Sequence, residues 1–183
     1  MARVLNTSNI KSTYFGGGRI YSVVSDEKLE NGMIGVVGKL KDGGKELREI
    51  TKVTDLTTAV ELVLVGNPEV MYDERPSMRR LENFEIPAGT SARAYSLAVG
   101  DEFEVSLDAI NCVADNTPKK DNYVVLKANT FEFDEKANLD GNEQFVTRVE
   151  ELTNMNRPLQ LDANNLSTVT KMARLKVIKY NNQ

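Results

Sequence analysis

The sequence predicts an all-β protein, a barrel or sandwich of about nine short strands with an extended N-terminal arm and long surface loops. Three observations carry this. "EFEVSLD" alternates cleanly, with Phe103, Val105 and Leu107 on one face and Glu102, Glu104, Ser106 and Asp108 on the other. "AVELVLV" (59–65) is almost continuously apolar, the pattern of a strand covered on both faces. Turn chemistry falls between such runs, at Asn31-Gly32 and at Asp42-Gly43-Gly44.

Taken in order, "RIYSVVS" (19–25) is β-branched and aromatic, and "MIGVVGKL" (33–40) follows the Asn31-Gly32 turn. Asp42-Gly43-Gly44 then makes a tight hairpin into residues 46–53. "ARAYSLAV" (92–99) is strand-like and turns at Gly100 into the alternating run. "YVVLKANTFEF" (123–133) changes apolar parity around 127–129, which predicts a bulge or bend. "ARLKVIKY" (173–180) is the closing strand. Phe145, Val149 and Leu152 fit helical spacing, yet their neighbours are strands, and the segment 145–152 is read as a strand.

At 183 residues the chain suits one domain with a real core. The division expected is an arm and glycine joint over 1–18 and a single β-rich domain over 19–183. No run approaches the roughly 18 apolar residues of a membrane helix, so no membrane partner is expected. The opening "MARVLNTSNIKSTY" lacks the apolar centre of a secretion signal, and the expected place of synthesis is a cytoplasm.

With no His, neither a Ser-His-Asp nor a Cys-His nucleophile can be built, and zinc would have to rely on carboxylates and one thiol. Carboxylates or lysines could still run acid–base chemistry, but adjacent pairs such as Asp101/Glu102, Asp134/Glu135 and Glu150/Glu151 point to opposite faces of a strand. Cys112, the single cysteine, reads as a structural thiol. "KANLDGNEQFVT" places Asn138, Asp140 and Gly141 like a calcium loop, but Lys136 and Thr147 stand where Asp and Glu belong, leaving a turn with Asp140-Gly141 at its tip. The reading is therefore no catalytic residue, no metal and no cofactor.

Gly16, Gly17 and Gly18 precede a strand and match neither a P-loop nor a dinucleotide fingerprint. They read as a hinge behind residues 1–15, an arm without strand periodicity that carries Arg3, Tyr14 and Phe15 and orders against a partner. The loop 67–91 carries three prolines, Met71, Tyr72 and Phe84, and the cluster Arg75, Arg79 and Arg80. Loops of such length are commonly functional, and Tyr and Arg are typical interface anchors. Partner-binding residues are thus Arg3, Tyr14, Phe15, Tyr72, Arg75, Arg79 and Arg80; the competing role for the loop is to plug the barrel with Met71 and Phe84.

Net charge is −4, unevenly spread: 82–162 holds 16 acids against 7 bases, while 1–25 and 163–183 carry bases and no acid past Asp162. Basic ends on an acidic body suggest ends that seek an acidic surface, such as a neighbouring copy. A single-stranded nucleic-acid-binding β-barrel is the alternative class, but it wants a basic groove with aromatics, and "RPSMRR" is the only compact basic cluster.

The stretch "PEVMYDERPSMRRLENFEIPAGTSARAYSLAVGDEFEVSLDAI", preceded by "LENGMIGVVGKL", resembles the β-rich auxiliary head proteins of tailed bacteriophages, the decoration or cement proteins of the capsid. The likeness covers roughly 29–110. It implies a non-enzymatic virion protein, made in the host bacterial cytoplasm, that binds the major capsid protein and oligomerises on the shell. Many such proteins are smaller, so a head-fibre or appendage base protein is a second form of the same expectation.

Overall fold

The computed structural model describes residues 3–10, 13, 19–43, 45–57, 60–68, 84–112, 117–157 and 168–181. The protein is all-β. Helical structure among these residues is limited to 3-10 turns, the better defined at Leu107–Ala109.

Five strands close a barrel: β2 (Ile20–Val24), β3 (Ile34–Leu40), β4 (Leu47–Thr51), β5 (Leu62–Val65) and β6 (Ala92–Ser96), in the order β2-β4-β3-β5-β6. β2 and β4 run parallel and the other pairs antiparallel, with β6 returning to β2. Closure removes free edges from this half of the molecule. The Gly32 turn (φ 83°) and Gly43 hairpin (φ 79°) use left-handed conformations that glycine adopts without a Cβ clash.

A second sheet contains β1 (Leu5–Asn9), β7 (Glu102–Ser106), β8 (Ile110–Asn111), β9 (Tyr123–Leu126), β10 (Phe133–Lys136), β11 (Phe145–Arg157) and β12 (Thr168–Tyr180). Its order is β1-β7-β12-β11-β9-β10-β8, and it curls into a half-barrel. β9 and β10 pair antiparallel, Leu126 opposite Phe133, around a turn where Asn129 takes φ 60°. The parity change read as a bend is therefore a complete hairpin.

The two sheets are joined by one apolar cluster. Leu62 and Leu64 of the barrel meet Phe103, Val105, Phe133, Phe145 and Leu175 there, while the alternate residues Val63 and Val65 join Val23, Ile50, Ala94 and Phe131 in the barrel's own cluster. All four β5 residues are fully buried, which explains the unbroken apolar run. Leu107, expected in the strand and fully buried, sits in the 3-10 turn and is half-buried, because β7 ends at Ser106.

Two expectations are corrected. Residues 1–15 were expected to hold no core strand; Leu5–Asn9 instead pairs with β7, and Val4 and Ile10 are buried. Burial of three apolar side chains near the start outweighs the weak strand pattern of "LNTSN". The loop 67–91 was expected on the surface; at its described end Phe84 and Ile86 are instead buried in the barrel cluster, and Ile86 bridges to Leu29, while 69–83 lie outside the described residues.

Candidate interaction surface

Of the residues predicted to bind a partner, Tyr14, Phe15, Tyr72, Arg75, Arg79 and Arg80 lie outside the described residues, as do the hinge glycines 16, 17 and 18 and Met71. Arg3 is placed. Its guanidinium pairs with Glu132 in the β9–β10 turn, and its backbone N–H faces Glu30 Oε2 at 3.4 Å. Burial raises the Glu132 carboxyl and the hydrogen bond from Arg3 lowers it more, with Lys127 helping, so the net shift is downward. Arg3 thus ties the edge strand β1 to the far side of the curled sheet.

Four bases of the two ends, Arg3, Arg174, Lys176 and Lys179, are engaged within the chain. Arg174 donates to Glu104 from Nε (3.0 Å) and Nη2 (2.7 Å) and stands 3.6 Å from Glu151. Lys176 pairs with Glu102 at 3.0 Å, and Lys179 donates to the Gly141 carbonyl at 3.2 Å. The register sets Arg174 opposite Glu104 and Lys176 opposite Glu102, so strand pairing itself supplies the acid for each base.

Chemistry-bearing groups are likewise occupied. Burial, followed by the nearby Glu135 carboxylate, pushes the Cys112 thiol up to about 11, far from a reactive thiolate. Glu135 is buried and accepts from the Lys119 N–H (2.8 Å) and Asn122 Nδ2 (2.7 Å), holding the 119–122 turn against β10. Among the described residues no group of three or more Cys, Asp or Glu is placed to hold a metal ion. An open cleft of about 280 Å³ at the β8 edge is lined by Leu107, Asp108, Ile110, Asn111 and Glu132. Its charged lining residues, Asp108 and Glu132, are acidic, and Asn111 is turned to Asp134 at 2.6 Å.

The feature that offers itself to another molecule is the β11–β12 ribbon. The two strands pair from Phe145 opposite Tyr180 to Arg157 opposite Thr168. Among the described residues β9 flanks β11 only over Val146–Arg148, and β7 flanks β12 only over Met172–Lys176. From Glu151 to Arg157 and from Thr168 to Lys171 each strand pairs, among the described residues, with the other alone. Alternation and register put Thr153, Thr170 and Met172 on one face and Leu152, Asn154 and Lys171 on the other. Thr170 and Met172 are buried; Leu152 (44% exposed), Asn154 and Lys171 are open to solvent. The sequence shows strand only over 145–152 and 173–180; the extensions over 153–157 and 168–172 are polar and read as a long connection, and which neighbours flank a strand is a property of the sheet.

No family model, curated protein or solved structure matches the chain.

Proposed function

We propose that this chain is a non-enzymatic structural protein of a virion, decorating or cementing the outer surface of a bacteriophage capsid by binding the major capsid protein, with other copies of itself as neighbours. The observation that carries the reading is the overhanging ribbon. A two-stranded ribbon is marginal alone, and edges that pair with no further strand among the described residues can add to a partner's strand while Leu152 supplies an apolar anchor flanked by Asn154 and Lys171. The resemblance over residues 29–110 supports the choice of partner.

The test is co-sedimentation with purified phage heads stripped of their accessory proteins. Wild type should saturate the heads, and Leu152→Asp should lower occupancy at least tenfold with an unchanged circular dichroism spectrum. Equal occupancy of the two would remove the ribbon from the interface. No sedimentation of wild type, together with a salt-sensitive shift of single-stranded oligonucleotide, would replace the capsid reading with nucleic-acid binding.

A further inference from the structure

The groove that holds β1 is built for a strand that can be supplied by another molecule. β1 lies at the end of its sheet and is paired, among the described residues, to β7 alone, with the ladder interrupted between Asn6 and Asn9. What fixes it is a row of specific side-chain contacts drawn from separate parts of the body. Glu132 and Glu30 hold Arg3, as described. The Val4 N–H donates to Ser106 Oγ (3.1 Å), and the Ser106 N–H donates to the Val4 carbonyl (3.0 Å). Leu5 sits over Gly66, where a Cβ would stand 2.7 Å from Leu5 Cδ2 and 3.0 Å from Tyr95 Cε2. Asn6 Nδ2 donates to Glu104 Oε2 at 3.0 Å, and Val4 and Ile10 are buried at either end.

We propose that β1 is an exchangeable strand: residues 3–10 of one copy of this chain occupy the β7-edge groove of a second copy when copies are brought close together. The occupant follows from the chemistry of the groove, which recognises Arg3, Val4, Leu5, Asn6 and Ile10 in sequence and is filled by the same segment whichever copy provides it. Exchange replaces each contact with an identical one, so its free energy is set by the connection and by local concentration. A strand bonded along one edge leaves by opening a single ladder. The connection from Ile10 to Arg19 reaches at most roughly 30 Å and contains Gly16–Gly18, which accept almost any backbone path. The inference concerns how copies join and does not rest on the capsid being their partner.

Asn6 and Glu104 are direct partners in the register and lie at the surface edge of the sheet. In full-length Cys112→Ser protein, the double variant Asn6→Cys/Glu104→Cys should close an intrachain disulfide, which verifies the geometry. Tagged Asn6→Cys is then mixed at millimolar concentration with untagged Glu104→Cys and oxidised. The expected result is a covalent heterodimer severalfold in excess of that formed by Asn6→Cys with Lys39→Cys, a barrel-hairpin position outside the groove. A second pair, Asn9→Cys with Glu102→Cys, should behave alike. Heterodimer at the Lys39→Cys level for both pairs, with the double variant closing normally, would overturn strand exchange.

Discussion

Gly35 is the position where one added methyl group does most harm. Its Cβ would stand 2.7 Å from Ile50 Cγ1 and 2.9 Å from the Thr51 carbonyl oxygen, inside the barrel where β3 crosses β4. Backbone cannot step aside there without moving a closed ladder. Gly35→Ala should cost about 3 kcal/mol or more, read as a lower urea midpoint with an unchanged slope. Asn31 shows the opposite kind of dependence, on polar atoms. It is buried, donates to the Asn67 carbonyl (3.0 Å) and accepts from the Asn67 N–H (2.8 Å), while Asn67 accepts the Arg93 N–H at 2.6 Å. Asn31→Ala would leave two backbone groups without partners and should cost about 2 kcal/mol. Thermal denaturation of the variant beside Asn31→Asp, which keeps the acceptor alone, separates the two bonds.

At the scale of elements, the turn before β11 depends on pH. Burial disfavours the ionised Glu143, but the Asp140 and Gly141 N–H groups, both at 2.9 Å, and the Lys136 ammonium outweigh it and hold the carboxyl down to about 2. The folded value lies below the unfolded one near 4.5, so this contribution is complete above pH 5 and is lost as pH falls toward 2. Glu143→Gln should lower stability by about 1–3 kcal/mol at pH 7 and flatten the fall between pH 5 and 2 in a urea titration. Strands such as β5 and β7 are legible in the sequence because their burial is simple: both faces in one, alternate residues in the other. β11 is harder to read, since register shifts at Val146/Thr147 and Val149/Glu151 break the alternation and leave Phe145, Val149 and Leu152 at helix-like spacing. β1 escapes for another reason: its polar residues 6–9 are placed by Val4, Leu5 and Ile10, whose receiving surfaces lie about a hundred residues away in the chain. A separation of 70 residues or more likewise hides the partners of Arg174 and Lys176, which is why a paired face reads as a basic tail.

For the molecule as a whole, the cluster between barrel and curled sheet decides whether they unfold together. Phe103, fully buried, stands at the middle of it with its ring centroid 6.1 Å from that of Phe133 and with barrel residues Ile34, Leu62 and Leu64 in the same cluster. The curled sheet presents its inner face to this contact and β5 contributes every second side chain to it, while the barrel keeps a second cluster around Val23, Ile50, Val63 and Val65. β1 adds a further tie, because Leu5 packs on Gly66 at the end of β5 while pairing with β7. Removing residues 1–10 should therefore destabilise the fold by several kcal/mol, where a free arm would have cost nothing. Phe103→Ala opens a cavity on the shared face and should cost about 3–5 kcal/mol. The loss should be felt equally by strands that never touch Phe103. Native-state hydrogen exchange gives the measurement, with amides of β3 and β5 in the barrel compared with those of β9 and β11 in the sheet. Under one cooperative core, Phe103→Ala lowers protection in all four strands by the same free energy. Protection lost in β9 and β11 with β3 and β5 unaffected would mean that the closed barrel stands alone and the curled sheet folds upon it.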